Sequence, residues 1–153
     1  MTVTALTPPA PPDSTPTRTH RLTTPNRPTA AAELRAIVAA LLRVAGHAPL
    51  AESARLCTSE LVTNVHRHTG ARLVHVEVVL GEGEVTVRVY DDQARPLPPP
   101  VPSGTGSALR ECGRGLLLVD ELADAWGTTH YGAPRPTSKA VWFRMVRGGR
   151  GAS

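Results

Sequence analysis

The stretch Ser59-Glu60-Leu61-Val62-Thr63-Asn64-Val65-His66-Arg67-His68 carries a carboxylate, an amide and an imidazole at steps of four residues: Glu60, Asn64 and His68. Such steps stack side chains one above another on a helix face. The three run along the edge of an apolar stripe formed by Ala54, Cys57, Leu61 and Val65. They therefore border the core, where the floor of a cleft would lie. An amide oxygen placed there can ligate Mg²⁺, a hard cation that favours oxygen. The carboxylate can orient or deprotonate an attacking hydroxyl or water. Taken alone, the same helix also fits a solvated edge, with His68 beside the helix C-terminus.

Further along, Val85-Thr86-Val87-Arg88-Val89-Tyr90-Asp91-Asp92 alternates so that Asp91 shares a face with Val85, Val87 and Val89. That is the face a half-buried strand turns inward. An acid there needs a partner, because burying an unpaired charge is costly. A ligand amine, such as the exocyclic amine of adenine, would serve; so would local capping of the following loop. The third candidate is Gly113-Arg114-Gly115-Leu116, opening an apolar helix. Glycines at a loop-to-helix junction let backbone approach a ligand, and first-turn N–H groups favour phosphate. A plain turn has the same signature.

The elements that must position these groups are legible from periodicity. Residues 1–18 (MTVTALTPPAPPDSTPTR) are rich in Pro and Thr and read as a disordered tail. A domain over 19–147 and a flexible C-terminal tail at 148–153 complete the division. Thr19–Thr23 fits a short edge strand before Pro25. Leu34, Ile37, Val38, Leu41 and Leu42 predict a helix over Thr29–Val44, stopped by Gly46. A second helix is expected over Pro49–Thr69. The period then changes to two: Val74, Val76, Val78 and Leu80 share one face, and Gly81-Glu82-Gly83 turns the chain into the next strand. Residues 92–112 form a long Pro/Gly-rich loop, too long to be idle. A helix over Arg114–Asp124 and strands over Gly127–Tyr131 and Lys139–Val146 close the chain. This order predicts an α/β (α+β) two-layer sandwich, with a mixed, mostly antiparallel sheet and helices on one face.

Bulk properties narrow the function classes. With 153 residues and 41% hydrophobic composition, the chain can build one core. Net charge is +4, but almost all the cations are arginine, Lys139 is the only lysine, and only 3% of residues are aromatic. Without stacking aromatics a nucleic-acid partner is not expected. Two cysteines, Cys57 and Cys112, lack metal-ligand spacing and suggest a reducing cytoplasm. No apolar run reaches the roughly 18 residues of a membrane span.

The phrases ELVTNVHRH, VRVYDD, GRGLLLVDELADAWG and KAVWF, in that order, resemble the small bacterial anti-sigma-factor serine kinases. These belong to the histidine kinase-like and gyrase ATPase superfamily, which has the Bergerat fold. The resemblance spans Arg21 to Val146. It implies that Glu60 is the general base, that Asn64 binds Mg²⁺, and that Asp91 takes the adenine amine. It further implies that residues 93–112 form the ATP lid and that Gly113, Arg114, Gly115 and Leu116 line the phosphate site, with His68 among the ATP-binding residues. Implied partners are an anti-sigma antagonist, phosphorylated on serine, a sigma factor, and a second copy in a homodimer. A non-catalytic ATP-binding interaction module is the alternative. The sequence departs from the family pattern at Gln93, where the superfamily has Gly, and at Ser138-Lys139-Ala140, where relatives carry Gly-Lys-Thr.

Overall fold

The computed structural model describes residues 16–91, 116–131 and 138–153. The expected tail over 1–18 and loop over 92–112 thus fall largely or wholly outside the described residues. Strand β1 (Arg18–Pro25) leads to helices α1 (Ala30–Val44) and α2 (Ala48–His68), then strands β2 (Leu73–Leu80) and β3 (Glu84–Asp91). Helix α3 covers 116–122, and β4 (Ala125–Tyr131) and β5 (Ser138–Val146) follow. The sheet order is β1-β2-β3-β5-β4. The expected two layers are present, and every pairing in the sheet is antiparallel.

Alternation explains the two faces. Val74, Val76 and Val78 on β2, Val85, Val87 and Val89 on β3, and Val141, Phe143 and Met145 on β5 are all buried. They meet Leu34, Val38 and Leu42 of α1 and Ala54, Leu61 and Val65 of α2 in one core. The β2–β3 turn is as expected: Gly81 N–H donates to Glu84 O at 2.9 Å, and Gly83 takes φ +73°, where a side chain would be strained. Helix α1 stops at Gly46, φ +84°, and Pro49 sits in the first turn of α2, where its missing N–H costs nothing. Among the described residues no helix is long and apolar enough to cross a membrane.

The opposite sheet face carries a charged row. Glu77 accepts from Arg21 Nε at 2.8 Å and from Arg88 Nη1 at 2.6 Å, and is only 7% exposed. The row follows from register, which sets Arg21 and Arg88 on either side of Glu77.

Residues 148–153 make hydrogen bonds to the body of the domain. Asp124 accepts from Val146 N–H at 2.8 Å and from Arg150 N–H at 3.1 Å. Ser53 Oγ donates to Gly151 O at 2.7 Å, and Ser153 N–H donates to Pro49 O at 3.0 Å. A Cβ on Gly149 would collide with the Asp124 carboxylate, so the turn is closed by a glycine that can lie against it.

Candidate functional site

Helix α2 presents its polar edge as the four-residue spacing requires. Cys57, Leu61 and Val65 are buried on the core side; Glu60 and His68 are half-buried at the border. Asn64 is drawn further in, at 5% exposure. Among the described residues, Asn64 Nδ2 and His68 Nε2 are buried without a hydrogen-bond partner. A buried donor or acceptor left unmade costs about 1–3 kcal/mol. Two such groups lie one turn apart on this helix edge, and His47 Nδ1 and Thr58 Oγ1 are likewise without a partner among the described residues. The same edge acts on Cys57: burial, and then the negative charge of Glu60, push its thiol from 9.0 up to about 12. Cys57 is thus a core residue, as its place in the stripe suggests.

At the far end of β3, Asp91 faces inward as alternation requires and is 2% exposed. Part of what balances it comes from within the chain. Register sets Asp91 opposite Lys139 of β5, whose Nζ lies 3.8 Å from Asp91 Oδ2, and Lys139 is itself 2% exposed. Both residues make further interactions. Sequence reasoning passed over Lys139 as a site residue, although the signal was present. It alternates with Val141, Phe143 and Met145, so the one lysine in the chain falls on the buried face. Ala140 is fully buried beside it and brings no hydroxyl.

Gly113, Arg114 and Gly115 lie outside the described residues, as do Gln93 and Cys112 and the side chain of Ser138. Leu116 is described and fully buried in the core. Its side chain serves packing, so what it can offer a ligand is backbone. A cavity of about 320 Å³ lined by Arg21, Thr23, His75, Glu77, Tyr90 and Asp91 opens elsewhere. Most of these side chains alternate away from the core, so the cavity belongs to the sheet face opposite α2.

The match to known proteins now decides the family. The family model of the histidine kinase-like ATPase domain matches residues 24–145. The chain belongs to that family. No curated protein matches it. The histidine kinase-like ATPase domain takes in α2, β3 and β5 whole or nearly so, hence Glu60, Asn64, His68, Asp91 and Lys139. An ATPase domain carries ATP binding as its coarse function.

The donor set fits the metal that usually accompanies ATP. Among the described residues no group of three or more His, Cys, Asp or Glu side chains could form a metal cage. Mg²⁺ does not need one: it keeps several waters, takes phosphate oxygens, and accepts one or two protein ligands. The Asn64 amide carries both an NH₂ and a carbonyl oxygen, so a half-turn of its plane exchanges the unpartnered donor for a ligating oxygen.

Proposed function

We propose that this ATPase domain binds Mg²⁺-ATP between α2 and the Asp91 end of the sheet, and transfers the γ-phosphoryl group to a serine of an anti-sigma antagonist. The observation that carries the reading is the α2 edge. Asn64 Nδ2 and His68 Nε2, buried and without a hydrogen-bond partner among the described residues, lie one turn apart, and the half-buried Glu60 lies one turn before Asn64. Asn64 would hold the metal through its amide oxygen. Mg²⁺ supplies neutralisation of phosphate charge when bound. Asp91 accepts a hydrogen bond from the 6-amino group of the base. Gly113, Arg114 and Gly115 meet the phosphates through backbone and guanidinium, and the apolar burial of Leu116 and Val119 anchors the helix behind them.

Glu60 accepts the proton of the serine hydroxyl as its oxygen bonds to the γ-phosphorus. The bond from that phosphorus to the bridging oxygen breaks, leaving ADP and phosphoserine. A carboxylate at the border of the core reaches solvent on one side and a buried phosphate on the other, as a general base requires. Binding of a sigma factor and homodimer formation belong to the same proposal, through the resemblance of the motifs to anti-sigma-factor kinases.

Two measurements test it. ATP binding with and without Mg²⁺ compares wild type with Asn64→Ala, and the Mg²⁺ dependence should vanish in the variant. Labelled ATP with the cognate antagonist should yield phosphoserine, and Glu60→Ala should abolish it. ATP bound without transfer to any antagonist would favour the second reading, a non-catalytic module in which nucleotide shapes a protein interface.

A further inference from the structure

Helix α1 buries one side, through Leu34, Val38 and Leu42, and leaves the other in water. Its exposed residues Ala32, Glu33, Ala36, Ala40, Arg43 and Val44 fall on that outer side, centred opposite Val38. A surface helix ordinarily turns charged and polar residues outward. Here the outer side is apolar apart from two charges, and Val44 is 90% exposed. The third charged residue of α1, Arg35, turns toward α2 and donates to Ser59 Oγ at 3.4 Å. We propose that the outer side of α1 is an interface between two copies of this chain, the helices packing antiparallel about a two-fold axis at the level of Val38. The inference rests on the homodimer contained in the reading above and gives it a surface.

Charge chooses the occupant and its direction. Glu33 stands in the first turn of α1 and Arg43 in the last, placed evenly about the centre of the outer side. A parallel copy would set Glu33 against Glu33 and Arg43 against Arg43, which repel. An antiparallel copy sets Glu33 of each chain against Arg43 of the other, so both charges of the face are matched twice over. The same axis brings Ala36 against Ala40 and Ala32 against Val44, and alanines let the two helices approach closely. Such a surface is complementary to itself, as a closed two-fold dimer requires. Neither charge is spoken for inside the chain by an ion pair among the described residues. Glu33 accepts only from Thr24 Oγ1 at 3.4 Å, and Glu52, the acid whose carboxyl feels Arg43, is bonded to Arg55 at 2.6 Å. One helix pair lies at the small end of specific interfaces, so the dimer is weak and forms as concentration rises.

The test is the oligomeric state of the full chain, read by sedimentation equilibrium over a concentration series up to the millimolar range. Wild type should pass from monomer to dimer. Glu33→Arg and Arg43→Glu should each raise the dimer Kd by about tenfold or more, because each turns two attractive pairs into two repulsive ones. Combining them should return the Kd to within about threefold of wild type, since the pairs are attractive again with signs exchanged. Glu33 and Arg43 of one chain are about 15 Å apart along the helix axis, so this rescue can act only between chains. The helix dipole favours the wild-type signs as well, and there the double variant should be the least stable in urea, not the most restored. Ala40→Arg keeps a strong helix former and sets a bulky charge at the centre of the face. It should abolish the dimer, and it decides the matter if a charge variant does not fold. A wild type that stays monomeric throughout would overturn the proposal. A dimer indifferent to the single variants, or one that the double variant does not restore, would do so too. Every variant should bind Mg²⁺-ATP as wild type does; if wild type binds none, the nucleotide reading falls while the dimer is still measured on its own.

Discussion

Cys57 shows how one residue reports its surroundings. Its thiol sits on the apolar stripe of α2, and burial together with the nearby Glu60 carboxylate disfavours the thiolate, raising the thiol to about 12. In the unfolded chain the group titrates near 9.0. The unfolded state thus loses a proton as pH rises through 9, while the folded state keeps it until about 12. Stability from this group is complete below pH 9 and declines as pH climbs toward 12. Two outcomes follow in a Cys112→Ser background. Folded protein at pH 8 should resist iodoacetamide and react rapidly in urea. Cys57→Ala should flatten the alkaline fall in stability measured by denaturation between pH 8 and 11. Rapid alkylation of the folded protein would mean that Cys57 is not packed as described. Lys139 makes the complementary point about legibility. Its parity with Val141, Phe143 and Met145 was visible in the sequence, yet its partner depends on β5 lying beside β3, which no local pattern discloses.

At the scale of elements, alternation and helical period give the existence of the strands and of α1 and α2 to within a residue or two, because one face of each must be apolar to form a core. Two features escape such patterns because they are made by pairing. The C-terminal turn is held mostly by backbone groups meeting Asp124, Ser53 and Pro49, and backbone groups leave no trace in residue type. The Arg21–Glu77–Arg88 row likewise depends on register, since each residue alone looks like an ordinary solvated position. The row also ranks its own members. Arg88 is 34% exposed and Arg21 58%, while their shared Glu77 side chain is 9% exposed. A hydrogen bond to a buried charge from a partly shielded donor is worth about 1–3 kcal/mol. One from a mostly solvated arginine contributes about 0–1 kcal/mol. Arg88→Ala should therefore destabilise the sheet more than Arg21→Ala in urea unfolding, and the double variant should cost more than the sum, because Glu77 then loses both cations and keeps only the Tyr90 hydroxyl at 3.4 Å. Equal and additive losses would show that the row is two separate surface pairs.

For the whole molecule, the α2 edge sets stability against function. Natural sites commonly retain groups that the folded state alone does not satisfy, and replacing them gains stability at the expense of activity. Asn64 is such a group: its amide is buried in the core layer, yet its Nδ2 has no partner among the described residues. Leucine has nearly the same shape and no polar atom, so Asn64→Leu removes an unmet donor without opening a cavity. The free-energy gain in the ligand-free protein should be about 1 kcal/mol, the lower end of the cost of an unmade buried hydrogen bond. The same change should erase the stabilisation that Mg²⁺-ATP gives the wild type, which at a hundredfold excess over Kd amounts to about 2.7 kcal/mol. Thermal or chemical unfolding of both proteins, with and without Mg²⁺-ATP, reads the two effects in one experiment. A variant stabilised on its own but indifferent to nucleotide is the expected result. If Asn64→Leu is instead destabilised and still responds fully to Mg²⁺-ATP, the amide is a structural group with a partner of its own, and the ligand binds without it.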